Sequence, residues 1–280
     1  MNRNARPAAA KHAVPVLPTG NQRSRLSALT AIPGGGGQPV SRPEYEAQDL
    51  IYDAWEATGT RRAALARRAL GLWPDCADAY VLLAQAASSL EEARELLETG
   101  VAAGERALGL RVFQEEVGDF WLIFETRPYM RARATLAATQ WRLGRREEAV
   151  AHQRELLRLN PRDNQGLRYR QANWLLTLAC YDELDQLFAT HADDCAPGLV
   201  YTRALAAFAR ADADVQAHAL LANARQLNPH IPAYPTGRKR LPRKRPAYTV
   251  FGEESEAVDY AAGASELWGS VPGALAWLES

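Results

Sequence analysis

The side chains that could do chemistry in this chain are few and scattered. His12, His152, His191, His218 and His230 show neither the H-E-x-x-H spacing of a zinc hydrolase nor any other metal-ligand spacing. Cys76, Cys180 and Cys195 are odd in number, far apart and without a C-x-x-C pair. Neither a disulfide framework nor a zinc site is expected from them, and a reducing cytoplasm is the simplest setting. The run Gly34 to Gly37 lacks the Gly-Lys-Ser/Thr ending by which a phosphate-binding loop holds a nucleotide. Glu115, Glu116 and Asp119 gather carboxylates without a second catalytic partner, and His230, beside Pro229 and close to Pro232, reads as a loop residue. The expectation is a chain with no catalytic residues, no metal and no cofactor, and not an enzyme.

What remains is recognition chemistry. Arg131, Asn173 and Arg203 offer hydrogen-bond donors, and a guanidinium presents them as a planar fork that matches a carboxylate. The run Arg238-Lys239-Arg240-Leu241-Pro242-Arg243-Lys244-Arg245 puts six cations into eight residues without an acid. Arg238, Lys239, Arg240, Arg243, Lys244 and Arg245 are therefore candidate contacts to an anionic partner, nucleic acid or membrane surface. No aromatic interleaves these cations, which weakens the case for single-stranded nucleic acid. The competing reading is a loop docked on an acidic surface of the same chain.

These groups need elements to hold them. From Pro43 onward Ala, Leu, Arg and Glu dominate, all strong helix formers, and runs of Val, Ile and Thr are absent. Alanine alone supplies 52 of 280 residues. Ser41, Pro43 and Glu44 fit a helix start, with Glu44 closing a capping box on Ser41. The prolines then set a period: Pro161 to Pro229 is 68 residues, twice 34, and Pro128 to Pro161 is 33. Paired helices at a 34-residue period are the tetratricopeptide signature. Residues 198–231 supply its pattern as Tyr201, Ala204-Leu205, Phe208, Ala217, Leu221, Ala224 and Pro229. Residues 130–163 supply Leu136-Ala137, Gly144, Ala149, Leu156 and Pro161, and 164–197 follow with a one-residue slip through Ala172, Leu175, Ala179 and Leu184. Pro74 to Pro161 is two periods with a surplus of 19, placed near 109–127, where Phe113, Phe120, Trp121 and Phe124 cluster. Small residues let two helix backbones approach while large ones fill the gap beside them, and no single pair can bury its own apolar face.

The predicted fold is all-α: a right-handed, tetratricopeptide-like α-α superhelix of about five helix pairs over 43–231, with an insertion near 109–127. A Pro-rich basic loop follows at 232–252, and a C-terminal helical cap at 253–280 in which Trp268 and Trp277 cover the last repeat. An Ala-rich bundle without superhelix is the competing all-α reading. Residues 1–42 carry Arg3, Arg6, Lys11, Arg23, Arg25 and Arg42 with no acid, many prolines and few apolar groups, so they read as a disordered basic tail. No stretch approaches the roughly 18 apolar residues of a membrane span, and no apolar run is long enough for a secretory signal. Formal net charge is zero, with 33 basic and 33 acidic residues, but the balance is segregated. With the tail and the 238–245 run set aside, 21 basic residues face 33 acidic ones: an acidic helical scaffold with two basic appendages. The excess of Ala and Arg, against only three lysines, suggests a GC-rich bacterial genome.

Toward the C-terminus the sequence becomes more specific. Asn228-Pro229-His230-Ile231-Pro232-Ala233-Tyr234 is followed by Gly252-Glu253-Glu254-Ser255-Glu256-Ala257-Val258-Asp259-Tyr260-Ala261, then Trp268, Gly273-Ala274-Leu275 and Trp277-Leu278. Upstream lie Ala79-Tyr80-Val81-Leu82-Leu83-Ala84 and Ala102-Ala103-Gly104-Glu105. Over roughly 75–280 this resembles the suppressor-of-tumorigenicity-seven family and its soluble bacterial relatives. The resemblance implies a helical repeat scaffold without established catalytic residues. The 238–245 run is more basic than the family pattern at that point.

Stacked repeats turn the first helix of each pair toward a concave surface. Repeat position places Arg131, Ala134, Ala138 and Trp141 there in one unit, Tyr169 and Asn173 in the next, and Thr202, Arg203 and Ala206 in the last. Tetratricopeptide proteins that hold a peptide carboxylate carry Asn and basic residues at such positions; here the Lys of that pattern is missing. The expected function is a non-catalytic scaffold or adaptor that binds a peptide or protein partner in this groove through Arg131, Trp141, Tyr169, Asn173 and Arg203. The alternatives are a nucleic-acid-associated protein acting through the basic loop and tail, and a regulatory subunit of an enzyme complex.

Overall fold

A computed structural model describes residues 42–280; the expected basic tail and the Ser41 cap lie outside the described residues, apart from Arg42. Among the described residues there are twelve α-helices and no strand. Five consecutive pairs are formed by α1 (Pro43–Glu56) with α2 (Gly59–Leu72), α3 (Ala77–Ala84) with α4 (Leu90–Glu115), α5 (Arg127–Arg142) with α6 (Arg146–Leu159), α7 (Leu167–Thr177) with α8 (Tyr181–Thr190), and α9 (Pro197–Ala211) with α10 (Val215–Leu227). A 3-10 turn (Ile231–Ala233) and an irregular loop lead to α11 (Glu254–Ser270) and α12 (Ala274–Glu279). Each helix packs on its pair partner and each pair on the next, giving an all-α superhelix of stacked hairpins.

The alanine excess is spent at helix crossings. Ala47, Ala54, Ala66, Ala69, Ala103, Ala132, Ala137, Ala149, Ala172, Ala204, Ala217 and Ala224 are buried. Where even alanine is too large, glycine appears. A Cβ on Gly100 would stand 2.8 Å from the Cβ of Tyr80, and one on Gly104 3.0 Å from that of Tyr129. These two glycines, one turn apart on α4, seat a tyrosine from the helix on each side. The core runs as three linked clusters along the chain. One joins pairs one and two around Ile51 and Leu82, the next joins pairs two and three around Leu97, Tyr129 and Leu156, and the largest joins pairs three to five with α11 and α12.

The insertion is part of the second cluster. Gly109, with φ +70, breaks the line of α4, and the chain then folds back so that Phe120 is buried against Phe113 and Tyr129. The backbone N–H groups of Gly118 and Phe120 donate to the Leu159 carbonyl at the end of α6. The buried Thr126 hydroxyl donates to the carbonyl oxygens of Phe120 and Ile123, closing the turn into α5.

The C-terminal helices do more than cover the end of the last repeat. α11 packs on both α7 and α9, the first helices of pairs four and five. α12 packs on α9, where Trp277 stacks on Phe208 with ring centroids 4.5 Å apart.

Candidate partner-binding face

The face formed by the first helices of the pairs, α1, α3, α5, α7 and α9, is where the sequence placed a groove. Over α7 and α9 it is filled by the chain itself. Asn173 donates to the Gly263 carbonyl of α11 at 3.5 Å and accepts from the Thr202 hydroxyl at 2.9 Å. Tyr169 lies on Gly198, where a Cβ would meet its ring at 2.5 Å, and its hydroxyl donates to Asp194. Arg203 stacks on Phe188, with the guanidinium carbon 4.9 Å from the ring centroid, and donates to the Phe188 carbonyl. Trp141 stacks on Trp174 at 4.5 Å and has the Arg146 guanidinium carbon 5.3 Å from its ring centroid. The structure thus brings Tyr169, Asn173 and Arg203 into helix-to-helix contacts, each with partners within the chain.

Over α1, α3 and α5 the same face is different. Asp78 of α3 is fully buried and is clamped by Arg131 of α5 at 2.8 and 2.5 Å, a two-bond fork. The two residues are 53 apart, one period plus the 19-residue surplus, so they occupy the same position in successive pairs. That complementary charge at one repeat position was the available signal for the pairing. Burial raises the Tyr52 phenol of α1, with Arg131 and then Asp78 as the nearest charges acting on it, so α1 completes this patch.

Among the described residues Arg127 is held, like Arg203, by a backbone carbonyl and aromatic rings and not by a carboxylate. Arg127 opens α5; its Nε donates to the Trp121 carbonyl, and its guanidinium lies 4.2 Å from the Phe124 ring centroid and 5.4 Å from that of Trp121. Burial, and then the nearby charge of Arg131, lower its pKa, as expected for a cation without a carboxylate partner. No carboxylate of the described residues stands within ion-pair distance of Arg127. Phe124 is 66% exposed and Leu122 is exposed beside it. Trp121 and Phe124 were legible in the sequence as part of an aromatic cluster, but nothing there assigned them or Arg127 to this face.

On the opposite side a surface cleft between α6 and α8 contains Arg154 and Arg158, whose charges are met by Glu183 and Glu155. Among the described residues no group of three or more His, Cys, Asp or Glu side chains could hold a metal ion, and no helix is long and apolar enough to cross a membrane.

The basic run leaves the 3-10 turn as a loop. Lys239 pairs with Glu254 at 2.5 Å, Arg238 with Glu279 at 3.6 Å and Arg245 with Asp259 at 3.7 Å, all carboxylates of α11 and α12. Arg240, Arg243 and Lys244 are exposed and have no such partner. The residues that carry the family resemblance build the root of this loop. Asn228 is fully buried. Its carbonyl accepts from the Tyr201 hydroxyl at 2.6 Å, and its amide donates to Glu256 and to the Glu253 carbonyl. Glu256 also accepts from the Gly252 N–H, and the Tyr234 hydroxyl donates to Glu254. The motif is a joint that ties α11 to the end of the last pair.

No family model matches the chain. Among curated proteins it is similar to "Suppressor of tumorigenicity 7 protein-like" of Homo sapiens, at 29% identity over 254 residues that cover 82% of this chain and 44% of that protein. The protein of the same name from Rattus norvegicus gives 29% over 254 residues, 82% of this chain and 45% of that protein. "Protein ST7 homolog" of Drosophila melanogaster gives 28% over 259 residues, 84% of this chain and 48% of that protein. The similarity is distant and extends over most of the chain. The chain spans less than half the length of these relatives.

Proposed function

We propose that this chain is a non-catalytic, tetratricopeptide-type scaffold that binds a peptide or protein partner on the open part of its first-helix face. The observation that carries this reading is the contrast within that face. Over α7 and α9 a helix of the chain is already seated. Over α1, α3 and α5 no described element packs, and Arg127 stands there without a counter-charge beside exposed Phe124. A guanidinium held over an aromatic ring still has N–H groups to offer a carboxylate, and the ring offers apolar contact next to it. The partner is accordingly a peptide bearing an acidic group, or a C-terminal carboxylate, next to an apolar side chain.

The test is affinity capture from the source organism, repeated with two variants. A charge-assisted hydrogen bond is worth about 1.5–3 kcal/mol, so Arg127→Gln should weaken capture of the true partner about tenfold or more. Asn173→Ala with Arg203→Ala, which alters the filled half, should leave it unchanged. Undiminished capture by Arg127→Gln would remove the reading.

A further inference from the structure

The loop between the 3-10 turn and α11 has a composition that self-docking does not use up. Its three ion pairs take every carboxylate that it reaches: Glu254 and Asp259 of α11 and Glu279 of α12. Those pairs hold Lys239, Arg238 and Arg245 against the helices. Arg240, Arg243 and Lys244 are left over, and no acid occurs between Arg238 and Gly252 to offset them. The same loop carries exposed apolar side chains. Tyr248 is 81% exposed and Phe251 55%, with Leu241 and Val250 exposed beside the cations.

The backbone shows where this segment is tied down. The Lys239 N–H donates to the Ala233 carbonyl, the Val250 N–H to the Ser255 hydroxyl, and the Glu253 N–H to the Val250 carbonyl. Between 240 and 249 no backbone-to-backbone hydrogen bond begins or ends. The loop is pinned at its two ends and at its flanking charges, and its middle presents cations and apolar side chains outward. Such a patch is unfavourable in water alone: large exposed apolar groups gathered on one segment mark a surface that something else covers.

We propose that this loop binds the surface of an anionic lipid bilayer. A bilayer interface accepts both halves of the segment. Arg240, Arg243 and Lys244 meet lipid phosphates, and Tyr248, Val250, Phe251 and Leu241 enter the boundary between headgroups and acyl chains. A nucleic acid uses the cations but offers no comparable place for Val250 and Leu241, and no aromatic lies between the cations to stack on bases. The acidic helical scaffold is repelled by such a surface, so among residues 43–280 contact falls on this loop. This site is separate from the Arg127 patch, and the two readings can fail independently.

The experiment is co-sedimentation of the full chain with vesicles of phosphatidylcholine alone, or of phosphatidylcholine with about a third phosphatidylglycerol, using three proteins. Near an anionic surface each Lys or Arg contributes about fivefold in affinity, so Arg240→Gln/Arg243→Gln/Lys244→Gln should bind the anionic vesicles roughly a hundredfold more weakly. Tyr248→Ser/Val250→Ser/Phe251→Ser should bind them about tenfold more weakly. Both variants alter exposed residues, and matching thermal transitions confirm that they fold. Binding to anionic but not neutral vesicles, weakened by both variants, supports the proposal. Three outcomes overturn it: equal binding to neutral vesicles, native-like binding by the serine variant, or no vesicle binding together with a steeply salt-dependent shift of duplex DNA that the glutamine variant loses.

Discussion

Across α7 and α9 the first-helix face is sealed by α11. Ala257, Val258, Tyr260, Ala261, Ala264, Leu267 and Trp268 of α11 are all buried, and the residues beneath them make helix-to-helix contacts. Across α1, α3 and α5 the same structural position is polar: a buried Asp78–Arg131 fork, the Tyr52 phenol, and Arg127 lying on two aromatic rings. One repeat geometry therefore serves two purposes. Where the face is apolar, the chain supplies its own covering helix and gains core. Where it is polar, its buried groups are met by an ion pair within the chain, and no described helix crosses it. In a stack of similar hairpins, the character of the first-helix side chains decides which stretch the chain covers with its own helix.

The sharpest way to break this comparison is to empty the sealed half. Trp268 is fully buried, its indole N–H donates to the Tyr260 hydroxyl at 2.8 Å, and its ring stacks on Trp277. Trp268→Ala should cost about 3–5 kcal/mol, measured from urea unfolding. Because each pair contacts only its neighbours, hydrogen exchange should accelerate in α9, α11 and α12 while α1 to α3 keep their protection. Equal loss of protection at both ends would show a single cooperative unit, and the division drawn here would lose its energetic meaning.

The open half depends on a different kind of bond. Asp78 is completely buried, while Arg131 keeps 31% of its side-chain surface in solvent. Removing the cation leaves a carboxylate that cannot rehydrate, so Arg131→Ala should cost about 3 kcal/mol. Asp78→Ala frees a guanidinium that can reach water, and about 2 kcal/mol is expected from the same unfolding measurement. The inequality is the test. If Asp78→Ala were the more damaging of the two, the fork would not be anchored on its buried anion.

The two halves should also respond oppositely to acid. His152 of α6 is held near pKa 4 by burial and then by the charge of Arg133, with Glu98 opposing, and its buried Nδ1 has no partner. The unfolded chain takes up this proton near pH 6.5 and the folded chain does not until about pH 4, so stability falls as pH drops through that window. Glu256, at the root of α11, has its pKa raised by burial, against the lowering pull of Asn228 and Gly252. The folded state then holds the proton more tightly, so this group favours folding at low pH and loses that contribution as pH rises through its folded pKa. Against the native chain, His152→Leu should flatten the loss of stability between pH 6.5 and 4, and Glu256→Gln should raise stability at neutral pH relative to acid. Parallel shifts in both variants would mean that neither group governs its half.

The repeat architecture was readable in the sequence, the division of its face was not, and the difference has a physical cause. The period of the prolines and the recurrence of Ala and Gly express backbone approach, which is local and repeats, so the five pairs and the all-α character followed. Counting repeat positions assigned Arg131, Asn173 and Arg203 to the first-helix face. What each side chain meets there depends on contacts over long separations: Asn173 with Gly263, 90 residues away, and Arg131 with Asp78, 53 away. Periodicity carries no information about a non-repeating helix such as α11 crossing the face. The residues of the resemblance motif were conspicuous because Asn228 and Glu256 satisfy each other in a buried joint, with Tyr234 donating to Glu254 beside it, and that conspicuousness belongs to architecture and not to a ligand.

The smallest predicted effect concerns the turns inside the pairs. In pair three the turn residue is Gly144, with φ +80; the matching residues in pairs four and five are Ala179 and Asp212, with φ +52 and +53. The first two turns share one hydrogen-bond pattern: Arg145 donates to the Gln140 carbonyl and Cys180 to that of Leu175. All non-glycine residues with positive φ among those described lie beyond residue 160, on the half that α11 braces. A side chain at positive φ costs roughly 1–2 kcal/mol, and persists where surrounding packing fixes the backbone. Replacing it with glycine removes that cost but adds freedom to the unfolded chain, which takes back about 0.5–1 kcal/mol. Ala179→Gly should therefore stabilise by about 0.5 kcal/mol. Asp212→Gly should gain somewhat more, because its ψ of −152 lies where glycine alone is at ease. Gly144→Ala meets no atom within 4 Å, so its loss of about 1 kcal/mol would be purely conformational. For a chain of this size these are shifts of a few degrees or less in the thermal midpoint. If Ala179→Gly lowers that midpoint, the backbone of pair four is not strained, and bracing by α11 is not what lets the C-terminal half do without glycine at its turns.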